Sequence, residues 1–357
     1  MDRKKRAKIA FLQPMIPHYR EFVFNRLIEL LNIDLYIYGK QKENKRNIKK
    51  LPSCNFLRVF IVYSFFPLLK GRYKILVLPG EIRSISTWFL LFSKWMHRKK
   101  IVLWGHGISI RNYLKEEKRY PISKKIFHTF ADEIWVYTDK EKEILQKALR
   151  KKTIISLNNT INSTAINILD NQKEIFKRKY NIKTEVNFIY CARFTKVQRR
   201  NDLLVEFIQK LDPNKFGFII IGDGPLKPDF KPFKNVHEFG AVFSRKIKDE
   251  LFAIADMYVQ MGWVGLSVVE ALLYGKPVLT LQRSESVNQC VEYFYIINNY
   301  NGYLASTVDE LVRYVNNISA EQLFKLQQNA RKYSQENLKI EFMLDKIKKR
   351  LEFLNES

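Results

Sequence analysis

Through the first half of the chain, apolar residues gather in short runs rich in Ile, Val, Leu and aromatic side chains: KIAFL (8–12), DLYIY (34–38), RVFIVY (58–63), KILVL (74–78), KIVLW (100–104), EIWVY (133–137) and TIISL (153–157). Amphipathic stretches such as EFVFNRLIELL (21–31) lie between them. Continuous apolar runs mark strands buried on both faces, and helix-period segments between them supply the covering layers, so the pattern predicts a parallel sheet wrapped by helices.

The rhythm stops at NNTINSTAIN (158–167), which is polar and aperiodic, and resumes with VNFIYC (186–191), FGFIII (216–221), NVHEFG (235–240), DMYVQ (256–260) and PVLTL (277–281). Two doubly wound α/β domains are therefore expected, over residues 1–160 and 161–339, with the Asn-rich stretch as their boundary. The closing segment ENLKIEFMLDKIKKRLEFL (336–354) carries Ile340, Phe342, Met343, Ile347, Leu351 and Leu354 near helical spacing and predicts a terminal amphipathic helix.

A length of 357 residues suits two such cores, and 46% apolar with 27% charged residues describes a folded chain and not a disordered one. The net charge of +26 is uneven: residues 1–150 hold 32 Lys and Arg against 13 Asp and Glu, an excess of 19. Clusters at Arg3–Arg6, Lys45-Arg46 with Lys49-Lys50, and Arg98–Lys100 suit an anionic lipid surface or a nucleic acid, and each also fits a merely solvated face. Cys54, Cys191 and Cys290 have no metal-ligand spacing and form no even disulfide set, which fits a reducing cytosol. The stretch IAFL is too short for a leader peptide. LRVFIVYSFFPLL is interrupted by Arg58 and Pro67, and SISTWFLLFSKWM has only the length of a globular helix, so no segment is expected to span a bilayer.

Ligands of open parallel sheets collect beyond the carboxyl ends of strands, and four loops with chemical content fall there. After DMYVQ, MGWVGLSVVE supplies Gly265, Leu266 and Ser267 at a helix amino terminus, where free amides attract anions. Glu270, three residues after Ser267, also completes a Ser-x-x-Glu capping box, and spacing alone favours that role. After VNFIYC come Arg193, Lys196, Arg199 and Arg200; an arginine fork suits a pyrophosphate, whereas Lys196 and Arg200 read better as solvated charge. Gly222-Asp223-Gly224-Pro225 follows FGFIII and is a reversal or a ligand loop. In the first half, Trp104-Gly105-His106-Gly107 puts a histidine at a strand tip, structural or substrate-facing, and His18, Tyr19 and Arg20 follow the first strand toward the same side. There is no P-loop, dinucleotide fingerprint, zinc-protease motif or nucleophile elbow, and no Asp-x-Asp pair at a strand end.

Taken in order, Ala192-Arg193-Phe194 with Arg199, Gly222-Asp223-Gly224-Pro225, Gly265-Leu266-Ser267 and Glu270 in VVEALLYGKPV resemble the donor half of a GT-B glycosyltransferase. The likeness is to the large retaining group 1 type family that builds bacterial polysaccharide and lipopolysaccharide, over about residues 186–281. Pro17–Arg20 and Trp104–Gly107 are similar to motifs of polysaccharide-building members. The resemblance implies two Rossmann-like domains facing across a cleft, with helix 340–357 crossing back to an acceptor-binding first domain. It implies that Arg193 and Arg199 hold the donor's pyrophosphate and His106 contacts the sugar. Gly265, Leu266, Ser267, Gly222 and Gly224 would line the nucleotide site, with Glu270 on the ribose hydroxyls and His18, Tyr19 and Arg20 on the acceptor side. The partners implied are a UDP or GDP sugar, a glycan or lipid-linked acceptor and an anionic inner membrane face, with no metal cofactor and no nucleic acid.

Two departures stand out: Gly262 occupies the position of a family Glu that touches the transferred sugar, and Arg199 stands where Lys is usual. Glycosyl transfer passes through an oxocarbenium-like state, so stabilising a leaving diphosphate and excluding water suffice for this site. The competing expectations are a nucleotide-sugar epimerase, which turns over without acceptor, and a basic nucleic-acid binder, for which no recognition module is present.

Overall fold

The computed structural model describes residues 8–31, 33–39 and 48–356, with only the backbone described at His18, Tyr19 and Ala165. The basic clusters at Arg3–Arg6 and Lys45-Arg46 lie outside the described residues. The chain divides into one unit of residues 1–159 with 340–357 and a second of residues 160–339.

In the first unit the strands are β1 (Ile9–Gln13), β2 (Asp34–Ile37), β3 (Ile48–Lys50), β4 (Ser53–Phe56), β5 (Phe60–Tyr63), β6 (Ile75–Pro79), β7 (Lys100–Trp104), β8 (Glu133–Val136) and β9 (Thr153–Ser156). Seven of them form a parallel sheet in the order β3-β2-β1-β6-β7-β8-β9. RVFIVY contains β5, but β5 is not part of that sheet: it pairs antiparallel with β4 across the three-residue turn 57–59, in which Leu57 and Arg58 have positive φ. A neighbour that close in the chain costs little loop-closure entropy, and an apolar run of this length does not by itself name its partner.

The second unit holds β10 (Val186–Cys191), β11 (Phe216–Ile221), β12 (Val236–Glu238), β13 (Met257–Val259), β14 (Val278–Leu281) and β15 (Gly302–Ala305), all parallel, in the order β12-β11-β10-β13-β14-β15. Successive residues point to opposite faces: Ile189 joins one core cluster, while Phe188 and Tyr190 join the other. Both faces are covered, which is why these strands read as unbroken apolar runs. Strand order reverses between β10 and β13 in this unit and between β1 and β6 in the first, and a doubly wound sheet opens its ligand crevice at such a reversal.

The terminal helix Ile340–Glu356 packs on the first unit's sheet through Ile340, Met343, Leu344, Ile347, Leu351 and Leu354. Phe342, expected on that face, is 39% exposed, and Leu344 takes its place. Arg350 pairs with the buried Glu133, and Lys346 Nζ donates to the Ser156 carbonyl at 3.1 Å.

Candidate functional site

The crevice loops of the second unit are built around an uncapped helix. Helix Leu266–Leu273 has Gly265 as its N-cap and no side-chain cap. The capping box expected from Ser267 and Glu270 does not form, because the helix begins before Ser267; its hydroxyl instead donates to Gln260 Oε1 at 3.1 Å. Leu266 and Ser267 occupy the first helical positions, whose N–H groups have no intrahelical acceptor, and among the described residues the backbone amides of these two and of Gly265 donate to nothing else.

Two fully buried glutamines fix the loop that leads into this terminus. Gln260 Nε2 donates to the carbonyls of Gly262 (2.8 Å) and Trp263 (2.9 Å), while its Oε1 accepts from the Tyr258 hydroxyl (2.7 Å). Gln289 Oε1 accepts from the Val264 amide (2.9 Å), and its Nε2 donates to the Leu281 carbonyl (2.8 Å). Trp263 is thereby held at φ 53°, a conformation costly for a bulky residue and kept only where the surroundings enforce it.

Cations gather beside the terminus. Burial, then the Glu292 carboxylate, push the Cys290 thiol up to about 12 against the pull of Arg199, Lys196 and Arg283. That sulfur lies 3.7 Å from where a Cβ on Gly265 would stand, with Glu292 Oε2 at 3.9 Å. Lys196, expected to be plain solvated charge, lies over the Trp263 ring at 4.8 Å. Arg199 sits on the turn Val197–Arg199 with its Nε buried and unpartnered, and its charge draws down a Tyr190 phenol that burial raises to about 12. Arg200 is committed elsewhere, to Asp202 at 2.7 Å and the Ser286 carbonyl at 3.2 Å. Arg193 is an exposed side chain after β10, with no side-chain hydrogen bond or ion pair among the described residues.

Gly262 has a steric explanation. A Cβ there would meet the Gln198 carbonyl oxygen at 2.5 Å, and its amide donates to the Arg199 carbonyl at 3.2 Å. The turn that carries Arg199 thus occupies the space a side chain at 262 would need. Gly222 and Gly224, at φ 144° and 147°, lie against the loop after β10 with their amides engaged by the Gly240 carbonyl (2.7 Å) and Asp223 Oδ1 (2.8 Å). Their visible contribution is close backbone approach.

Glu270 faces a pair of cations that the sequence reading missed. Its carboxylate receives Lys248 Nζ at 3.1 Å, Arg245 Nη1 at 3.3 Å and the Cys191 thiol at 3.8 Å. Arg245 and Lys248 stand in the first turn of helix Arg245–Ile254, where cations oppose the helix dipole and need an acid nearby; SRKIK (244–248) carried that signal. Burial opposes the Lys248 ammonium, but Cys191 and Glu270 outweigh it and its pKa is raised. Burial, reinforced by Glu270, also pushes the Cys191 thiol up to about 12. A raised thiol stays protonated until the pH nears that value, so Cys191 and Cys290 are unreactive near pH 8. Ellman's reagent is expected to titrate the exposed Cys54 alone in the native protein and all three cysteines after unfolding; rapid labelling of a second native thiol would contradict this burial.

In the first unit, His106 Nδ1 lies 3.4 Å from Oε1 of the buried Glu141, and its ring meets Tyr137 edge-on at 4.7 Å. Glu141 is fixed by a capping box with Thr138. Arg20, expected on an acceptor-facing surface, is only 7% exposed: it donates to Asn159 Oδ1 at 2.6 Å and lies over the rings of Trp104 and Tyr137. Tyr137 thus joins His106 and Arg20 in one cluster. His18 and Tyr19 open helix His18–Leu31, and their side chains lie outside the described set. Among the described residues no group of three or more His, Cys, Asp or Glu is placed to hold a metal ion.

Residues 172–337 match the family described as Glycosyl transferases group 1. No curated protein matches the chain in sequence. Among solved structures, the chain is similar to Anabaena Alr3699/HepE in complex with UDP (12% identity, TM-score 0.71, covering 97% of this chain and 99% of that one). It is also similar to a glycosyltransferase from Rickettsia africae ESF-5 (17%, TM-score 0.67, 98% of each). The third is the lipopolysaccharide outer core galactosyltransferase WaaB (15%, TM-score 0.65, 94% and 96%). At these identities the likeness establishes the shared fold, GT-B.

Proposed function

We propose, from the premise that residues 172–337 of this chain belong to the group 1 glycosyl transferases, that the protein moves a sugar from a nucleoside diphosphate donor to a glycan or lipid-linked acceptor in surface polysaccharide or lipopolysaccharide synthesis. The observation that carries the reading is the uncapped terminus at Gly265–Ser267, with Arg199, Lys196 and Arg283 around it. Among the described residues a Cβ on Gly265 would make only ordinary contacts, with Cys290 Sγ at 3.7 Å and Glu292 Oε2 at 3.9 Å. Amides left without a partner beside a glycine suit a ligand approaching the backbone.

On this reading the amides and guanidinium groups accept the charge that develops on the diphosphate as the glycosidic bond breaks. They stand in place before the reaction and so cost no reorganisation. The cations supply the counter-charge without a metal, and the acceptor hydroxyl attacks from the face the leaving group departs, giving its proton to the departing phosphate oxygen and retaining configuration. Glu270, aimed by Lys248 and Arg245, accepts the ribose hydroxyls. The basic first unit docks on an anionic cytoplasmic leaflet, in a chain whose described residues include no helix long and apolar enough to cross a membrane.

UDP or GDP is expected to raise the unfolding midpoint, since a ligand bound only by the folded state stabilises it. Glu270→Gln is expected to weaken that binding by about 1–3 kcal/mol. A folded Glu270→Gln variant that binds as tightly as the parent would leave the acid as a mere partner for Arg245 and Lys248. Conversion of a nucleotide sugar to an isomer without acceptor would turn the assignment to an epimerase.

A further inference from the structure

One surface of the first unit takes no part in the sites above. Helix Ile85–Phe92 buries Thr87, Leu90 and Leu91 and turns Ile85, Phe89 and Phe92 outward, at i, i+4 and i+7. Helix Ile122–Thr129 buries Phe127 and leaves Ile122 and Ile126 exposed, with Phe130 just beyond its end.

The two outward faces touch. Phe92 meets Phe130 edge-on at 4.8 Å, and Phe89 stacks on Phe65 at 4.7 Å, which in turn stacks on Phe66 at 4.9 Å. The most exposed members are Trp95 at 77%, Phe66 at 73%, and Met96 and Ile122 at 66% each. Single apolar side chains in water are ordinary, but an aromatic face joined by ring contacts is not, and it marks a surface that is covered in use.

Charge on the same segments selects the cover. Residues 65–70, 85–98 and 122–130 contain no Asp or Glu, whereas they contribute Lys70, Lys94, Arg98, Lys124 and Lys125. Lys94 and Lys124 pair with Asp132 (2.8 Å) and Glu116 (2.7 Å), so the charge left for a partner is that of Lys70, Arg98 and Lys125, which have no ion pair among the described residues. A second copy of the chain would bring like charge against this rim, which costs binding energy. An anionic bilayer meets both demands at once, taking Trp and Phe at the interface and Lys and Arg on the headgroups.

We infer that this face, centred on Phe66, Trp95 and Ile122, inserts into the headgroup region of an anionic membrane. The inference deepens the membrane half of the proposed function and does not depend on the donor site.

The test is co-sedimentation of the full chain with vesicles of phosphatidylglycerol and phosphatidylcholine at about 0.1 M salt, beside vesicles of phosphatidylcholine alone. The chain is expected to pellet with the anionic vesicles. Phe66→Ser/Trp95→Ser/Ile122→Ser, which removes only outward side chains, is expected to partition at least about tenfold more weakly. Tryptophan emission should shift to the blue on vesicle addition, and Trp95→Phe should abolish most of that shift. The inference falls if the parent stays in the supernatant, or if the triple variant, folded to the same midpoint, partitions like the parent. It also falls if the triple variant merely dissolves a concentration-dependent dimer while neither protein pellets. UDP-dependent stabilisation, measured on the same samples, separates the two readings: its survival without pelleting overturns the membrane face and leaves the donor site standing.

Discussion

Arg199→Ala is expected to lower kcat/KM for nucleotide-sugar turnover by about 100- to 1,000-fold, the usual effect of removing one preorganised donor from a developing anion. Its Nε is already withdrawn from water and unpartnered, and its turn is tied to Gly262 through the backbone. The guanidinium therefore waits in place and is not recruited from solvent. Arg199→Lys keeps the charge but loses the fork, and should recover only part of the rate. Arg193→Ala should cost less, since an exposed arginine interacts through water. UDP released from UDP-glucose with and without acceptor glycans gives the measurement. A folded Arg199→Ala variant with parental turnover would remove the diphosphate from this crevice.

The parts of the fold legible in the sequence are those buried on both faces. VNFIYC, FGFIII and PVLTL each hold a strand of the second sheet, and β10 pairs with β11 along its whole length, from Val186 opposite Phe216 to Cys191 opposite Ile221. The strands that escaped notice are β3, β4 and β15. β3 (IKK) and β15 (GYLA) are edge strands of the two parallel sheets, and β4 (SCNF), exposed throughout, belongs to the small hairpin. An edge strand can protect itself with charge or shortness. β3 has one apolar residue beside two lysines and β15 is four residues opening on glycine, whereas β9, the edge opposite β3, keeps the run TIISL and was legible. Phe342 and Leu344 exchanged roles for a related reason: spacing gives the stripe of a helix, and the neighbouring sheet decides its margin.

The site was legible where it depended on backbone and obscure where it depended on distant partners. Glycine-bearing loops at strand ends could be located from the sequence. Gln260 and Gln289 could not: they act together on the loop at residues 261–264, and a single polar residue after a strand gives no sign of the carbonyls it will serve. Glu270 shows the intermediate case. Its spacing from Ser267 suggested a cap, but the cap lies at Gly265, and the first-turn cations Arg245 and Lys248 identify the acid's actual neighbours.

Gly222→Ala is expected to destabilise the second unit by about 3–5 kcal/mol, combining backbone strain with overpacking. At φ 144° an L side chain is already disfavoured, and its Cβ would stand 2.0 Å from the Ala192 carbonyl oxygen. That oxygen belongs to backbone fastened by the Ala192 amide to the Ile221 carbonyl at 3.0 Å, so it has no flexible side chain to swing away. Calorimetry should show the second unit's midpoint lowered by roughly 6–20 °C. Two other glycines calibrate the effect. Gly240, at φ 59° with nothing near its missing Cβ, isolates the backbone part and should cost about 1 kcal/mol as alanine. Gly71, with open space and no positive φ, should tolerate alanine without loss. If Gly222→Ala proved as mild as Gly240→Ala, the contact with Ala192 would have to be yielding. The loop after β10, which carries both Arg193 and Arg199, would then be held by something other than the tight seat the glycine provides.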